Sequence, residues 1–454
     1  MLKKIFNKYI LSSVLLIGVI LRLSLFVVSP PNNSYDDHME VINIYADSLE
    51  RPKPFQCWEC YQPPAYYILA ASVYKSLIIA NISNDSAWKI VQLINPILSI
   101  LVLFIFYRIL LNFNITNYRR ALYLSFLAVL PRDIFTSTMI GNDYLLVFTS
   151  VAAVFYYLKT IDYSIKNNNI SITYFSLLSF FVIIGSLTKQ HGLLLLILPF
   201  SLLLYYIVKK KRKAYTFLLP LLIIIITISI NEELWKYQQT GKFLVSNQDF
   251  FNYAENQFPG SINLVEFNTF RLKSIFENPF ISSGSAASLP TELFARTFFD
   301  YEYRFLSPKI PVAIFIGRFG YSLGLVWILF FITTTIIWFR KNVRKLNVLT
   351  PKRLTFLVLT LLGFLFVMVP ILQTIRYPYF SSMKSMFMLP GVILLILAHA
   401  FATREIKIPI RLNSIFVGLN LLYGIVLIIS IAIFIGIVLN YLHGPLWQIP
   451  SKSH

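Results

Sequence analysis

The chain has 454 residues, 57% of them apolar and only 13% charged, where ordinary soluble domains carry about 25% charged residues. That composition excludes a water-soluble globular protein. The net charge of +20 raises the question of nucleic acid, but the cations stand in short blocks between apolar runs with no stacking aromatics interleaved, which excludes a nucleic-acid groove and fits the cytoplasmic loops of a membrane protein.

The first apolar run, 9–28, has Lys3, Lys4 and Lys8 before it and no small-residue cleavage site behind it. It is expected to be a retained first helix with its N-terminus in the cytoplasm. The next stretch reads SYDDHMEV and holds Asp36, Asp37, His38 and Glu40. Two adjacent carboxylates at a membrane exit suit a general base and an orienter of a hydroxyl or a metal. A plainer reading stands beside this one. Ser34 and Asp37 have capping-box spacing, and Met39, Ile42, Tyr45 and Leu49 form an apolar stripe behind them, so Asp37 is expected to cap a short helix. Asp36 is then the better base. The only cysteines, Cys57 and Cys60, follow as CWEC; a disulfide or free thiols are favoured over a metal site with His38 or Glu59, because a zinc site usually takes four ligands.

The segment 63–80 opens with two prolines and carries Tyr66, Tyr67, Tyr74 and Lys75. It is expected to lie on or re-enter the outer leaflet rather than cross. Apolar runs then follow at 88–110, 120–137, 143–160, 172–188, 190–208 and 214–231. A second outer loop, 232–310, lacks any long apolar run and has turn signals at Pro259-Gly260 and between Ser282 and Ser288, so it is expected to form a small cap. The last runs are 311–339, 354–373, 385–402 and 412–440. If 63–80 does not cross, eleven crossings remain and every basic block falls on the cytoplasmic side: Arg119/Arg120, Lys209 to Lys213, Arg340/Lys341/Arg344/Lys345 and Arg404/Lys407/Arg411. The C-terminus is then outside. The chain divides into 1–231, with the outer loop 29–87, then the cap 232–310 and the C-terminal helices 311–454. Arg22, Arg132, Asp133, Asp143, Lys189, His191, Arg318, Arg376 and Lys384 all fall near outer helix ends. That edge placement suits an enzyme acting on headgroups more than a transporter with a midplane site.

Four motifs in order over residues 9–200 resemble the GT-C superfamily of membrane glycosyltransferases, in the branch of protein O-mannosyltransferases and the lipid A aminoarabinose transferase. They are Asp36-Asp37 with His38 behind, Gln62-Pro63-Pro64-Ala65-Tyr66-Tyr67, Asn142-Asp143-Tyr144-Leu145-Leu146, and Leu187-Thr188-Lys189-Gln190-His191-Gly192 before a run ending in Pro199. The segment from Lys384 to Pro390 adds a later match. The resemblance implies an all-α polytopic GT-C fold in the plasma (inner) membrane and an inverting enzyme at its outer face. The enzyme would move a sugar from a polyprenyl-phosphate donor to a hydroxyl on a lipid, glycan or protein acceptor. It implies Asp36 as catalytic carboxylate, Asp143 as a second acidic position, Lys189 at a helix junction, and Lys384 near the donor phosphate. A phosphate leaving group needs cations, for which Arg376 and Arg304 are further candidates. Tyr61-Gln62 stands where the aminoarabinose transferase has a glutamate and a lysine, so no metal is expected to be required; His38 and Glu59 are the candidates to hold a divalent ion or orient the acceptor. The alternatives are a lipid-linked glycan transporter and an O-antigen polymerase or ligase.

Overall fold

The computed structural model describes residues 2–441 apart from 49, 252–262, 283–287, 307, 310, 343–349, 378, 380–381 and 405–408. Leu49, Arg344, Lys345, Lys407, the Pro259-Gly260 turn and residues 283–287 of the second turn signal lie outside the described residues. Helix α1 (Leu2–Val28) is followed by α2 (His38–Ser48), α3 (Ala65–Ile79), α4 (Asn84–Gln92) and α5 (Ile94–Asn112). The pair α6 (Asn117–Val129) and α7 (Pro131–Thr136) leads to α8 (Asp143–Asn167), α9 (Ile172–Ser186), α10 (Ile197–Val208) and α11 (Arg212–Thr240). Short helices α12 (Leu264–Asn268), α13 (Leu272–Glu277) and α14 (Leu289–Phe298) precede α15 (Pro311–Asn342), α16 (Pro351–Arg376), α17 (Leu389–Thr403) and α18 (Ile410–Tyr441). Among the described residues the only strand-like pairing is one bridge between Ser34 and Ile140.

Nine stretches among the described residues are long and apolar enough to cross a membrane. They lie in α1, α4–α5, α8, α10 with the turn before it, α11, α15, α16, α17 with the turn before it, and α18. The count of eleven is therefore not reached by length and composition. Of the two expected crossings that fall short, 120–137 is interrupted: Pro131 forces Leu130 into an extended conformation (ψ 112°) and then starts α7 as its first residue. The other, α9, has 15 residues and so reaches about 22 Å, less than the hydrocarbon thickness of about 30 Å. Helix α3, also 15 residues, is equally short, in keeping with a helix at the interface.

In a bilayer, helices associate through close packing and internal polar contacts, because the lipid is as apolar as the side chains. Gly18 of α1 serves the first need, since a Cβ there would lie 2.9 Å from Leu103 and 3.0 Å from Ala128. Arg22, one turn on and fully buried, serves the second. It pairs with Asp133 and donates to the carbonyls of Gly18 (2.8 Å) and Ala128 (3.0 Å), while Tyr144 donates to Asp133 at 2.7 Å. Two basic residues of the loops are tied to helix ends: Arg119 donates to Thr403 O at the close of α17 and Lys211 to Asn168 after α8.

Candidate functional site

The site begins where two connections are stitched together. Residues 29–37, after α1, run beside 137–142, before α8. Ile140 N donates to Asn33 O (2.7 Å) and Asn33 Nδ2 to Thr138 O (3.0 Å). From α4 and α5, Gln92 donates to Pro30 O and Thr138 O, and Asn95 to Met139 O and Gly141 O. These polar side chains satisfy backbone groups that no helix covers, which fixes two otherwise irregular segments. As a result Asp36 and Asp143, distant in sequence, open onto the same region.

Each of these carboxylates faces a lysine. Lys384, just before the 3₁₀ turn Ser385–Met388, places Nζ 2.7 Å from both oxygens of Asp36. Lys189 places Nζ 2.5 Å from Asp143 Oδ1. The turn carrying Lys189 is held by Gly192, where a Cβ would sit 2.0 Å from Gly185 O at the end of α9, so no side chain fits. His38 packs on Gly141 and hydrogen-bonds through Nδ1 to the Tyr67 hydroxyl at 2.7 Å. Glu59 sits in the loop closed by the Cys57–Cys60 disulfide and accepts from Gln62 Nε2 at 3.1 Å.

Burial and charge set the protonation states. Burial raises the Asp36 carboxyl, but Lys384, His38 and Lys189 outweigh it and hold Asp36 below its ordinary value. Burial lowers the Lys384 ammonium, yet Asp36, Tyr35 and Glu59 lift it above its ordinary value. Glu59, with burial and then Asp36 acting against its charge, is pushed up to about 8, and so is neutral at pH 7. Burial brings His38 down to about 4.

Asp36, Glu59, Lys189 and Lys384 line one cleft of about 80 Å³, together with Trp58, Gln62 and His191. Of the other sequence candidates, Asp37 is exposed, directly before α2, and does not line the cleft. Arg376 is exposed and pairs with Asp249 (3.2 Å), joining α16 to the second outer loop. Arg304 lies beside the cleft, its guanidinium 4.3 Å from the centre of the Tyr35 ring, with Lys384 Nζ at 4.7 Å and Arg132 at 5.4 Å from the same ring. Among the described residues no three His, Cys, Asp or Glu side chains converge to hold a metal.

Sequence reasoning missed Tyr35, Glu302 and Arg296. The Tyr35 hydroxyl contacts Glu302, and Arg296 donates to Tyr35 at 2.5 Å and pairs with Glu302 at 3.0 Å. Burial raises Glu302, but Arg296, Arg304 and Arg132 hold it at about 2. The run Glu302-Tyr303-Arg304 was the one available signal, and it has no motif character. A second cavity, almost wholly apolar, runs between α14, α15, α16 and α17; Met388 lines it while the neighbouring Phe387 lines the polar cleft.

No protein-family model and no curated protein sequence matches this chain. Solved structures do. The apo crystal structure of the Archaeoglobus fulgidus oligosaccharyltransferase matches with a TM-score of 0.51 at 13% identity, over 94% of this chain and 56% of that one. ArnT from Cupriavidus metallidurans, in the apo state, matches with a TM-score of 0.38 at 15% identity, over 87% of this chain and 78% of that one. The chain thus spans little more than half the length of the oligosaccharyltransferase. The likeness to the oligosaccharyltransferase, over nearly the whole chain, is one of fold alone.

Proposed function

We propose that this protein transfers a sugar from a polyprenyl-phosphate donor to an acceptor hydroxyl at the outer face of the plasma (inner) membrane, with inversion at the anomeric carbon. The observation that carries the reading is a polar cleft holding Asp36 and Lys384, with an apolar groove within the helix bundle lined by Met388, the residue after the cleft's Phe387. A prenyl chain needs the groove, and a sugar phosphate needs the cleft.

Asp36 is the base. Its proton affinity is low while Lys384 holds it, but a donor phosphate offers Lys384 a stronger anion. Once that exchange occurs, burial dominates at Asp36 and its affinity for the acceptor proton rises. The acceptor oxygen attacks the anomeric carbon, its proton passes to Asp36, and the polyprenyl phosphate leaves with its charge on Lys384, assisted by Arg304. Asp143 and Lys189 hold the turn 189–192 at the cleft wall, and Asp37 serves to begin α2. A transporter would place its ion pairs near mid-membrane. Here the groups lie at helix ends.

The test is transfer by purified protein in lipid nanodiscs, using radiolabelled polyprenyl-phosphate sugars and extracted envelope acceptors. Label moving to an acceptor supports the reading. No transfer from any donor, with bare polyprenyl phosphate failing to bind, refutes it.

A further inference from the structure

The charges inside the cleft cancel. Among the described residues lining it, Asp36 is held by Lys384 and Lys189 by Asp143, and Glu59 is the remaining ionisable carboxyl. What the wall otherwise presents is uncharged: Gln62, Gln190, Asn247, Gln373 and Ser382, with Trp58 at the edge.

On this wall Gln62 Oε1 and His191 Nε2 are buried without a hydrogen-bond partner among the described residues. The orientation of the Gln62 amide is set by its other end, since Nε2 donates to Glu59 at 3.1 Å and to the Tyr61 hydroxyl at 2.7 Å. Its oxygen is therefore left as an acceptor. His191 is held at the cleft by the Gly192 turn and by edge contacts with Phe366 and Phe387. A buried polar atom without a partner costs free energy, so atoms that line a cleft and remain unpaired mark the place of a ligand's polar groups.

We propose, resting on the sugar-transfer reading above, that the cleft takes an uncharged, polyhydroxylated sugar rather than an amino sugar or a uronic acid, with Gln62 and His191 reading its hydroxyls. A sugar ammonium would enter beside Lys189 and Lys384, with Asp143 engaged by Lys189; the one carboxylate that the donor phosphate frees is Asp36, and an ammonium paired with it would hold down the proton affinity that transfer needs. A sugar carboxylate would enter beside Asp36 and Glu59, with Lys189 held by Asp143 and Lys384 by the phosphate. The first disables the base and the second leaves a buried charge without a counterion. Hydroxyls, which both donate and accept, fit side-chain amides and an imidazole. The high proton affinity of Glu59 supports the same choice, because a neutral carboxyl does not pair with an ammonium.

The experiment measures binding to the full-length protein in nanodiscs of four short-chain probes: bare polyprenyl phosphate, and the same lipid phosphate carrying mannose, 4-amino-4-deoxyarabinose or galacturonic acid. The expected result is binding of the bare lipid phosphate and at least tenfold tighter binding of the mannosyl probe than of either charged probe. Gln62→Met, close in shape but without the acceptor, should lose about tenfold of the mannosyl preference, the worth of one hydrogen bond. His191→Phe should act in the same direction, and retained binding of bare lipid phosphate shows that each variant is folded. Preference for the amino-sugar probe, lost in Glu59→Gln, overturns the inference and leaves the sugar-transfer reading standing. An unchanged ranking in both Gln62→Met and His191→Phe also overturns it. Failure of every lipid phosphate to bind removes the sugar-transfer reading and this inference with it.

Discussion

Replacing Asp36 with asparagine tests the proposed chemistry most directly, because the side chain keeps its shape and loses both the proton acceptor and the negative charge. Two consequences separate. The first is chemical: without the base, transfer should fall by roughly 10²–10⁴-fold, the usual worth of general-base catalysis. The second is structural, since the Asp36 and Lys384 side chains are only 16% and 8% exposed and the lysine would be left without its bidentate partner. Removing one member of a buried pair costs about 3–5 kcal/mol, and the open cleft puts this pair toward the lower end. Lys384 freed from Asp36 remains available to phosphate, so bare polyprenyl phosphate should bind Asp36→Asn at least as tightly as wild type. The assay is single-turnover transfer in nanodiscs at matched folded protein, with lipid-phosphate binding measured on the same samples. Asp37→Asn is the control: the residue is exposed, lies outside the cleft and borders α2, so it should keep activity within about twofold and change stability little, since asparagine begins a helix as well as aspartate does. A fully active Asp36→Asn enzyme refutes the assignment, and an inactive Asp37→Asn beside it moves the base by one residue.

Glu59 gives a pH prediction. Its folded value of about 8 lies above the ordinary 4.5, so its contribution to stability is complete below about pH 4.5 and is lost as pH rises through 8; thermal stability of wild type relative to Glu59→Gln should fall across that window, and parallel melting curves at pH 5 and pH 9 would refute it. Activity in washed membranes should survive chelation, because Tyr61-Gln62 stands where the resembled aminoarabinose transferase has a glutamate and a lysine; loss on chelation restored by zinc, manganese or magnesium would overturn this. For topology, Asn84→Cys at the start of α4 should react with an impermeant maleimide from outside and Asn112→Cys at the end of α5 should not; both positions are exposed, and the native cysteines are tied in a disulfide. Labelling of Asn112→Cys from outside would invert the orientation.

The sequence by itself determined the solvent, the helical class and the order of the elements. Backbone groups in hydrocarbon must be satisfied within their own segment, so a long apolar run implies a helix without reference to anything else in the chain. The runs at 9–28, 143–160 and 354–373 needed nothing more, and Asp36, Asp143, Lys189 and Lys384 stood out because ionisable groups at helix ends in such a chain are costly to place. The break before Pro131 was also local and could have been read from the proline. Only the tertiary structure decided how these charges pair. Lys384 meets Asp36 across 348 residues and Lys189 meets Asp143 across 46, and no local pattern specifies a partner at those distances. It decided too that Asp37 faces outward while Asp36 faces the cleft, since the stitching of Asn33 and Ser34 to Thr138 and Ile140 sets the rotation of the strand-like segment between them. Tyr35, Glu302 and Arg296 stayed hidden in the sequence for the same reason. Tyr35 and Glu302 are ordinary loop residues and Arg296 an ordinary residue of α14, and their meaning comes from the charges that helix packing brings against them.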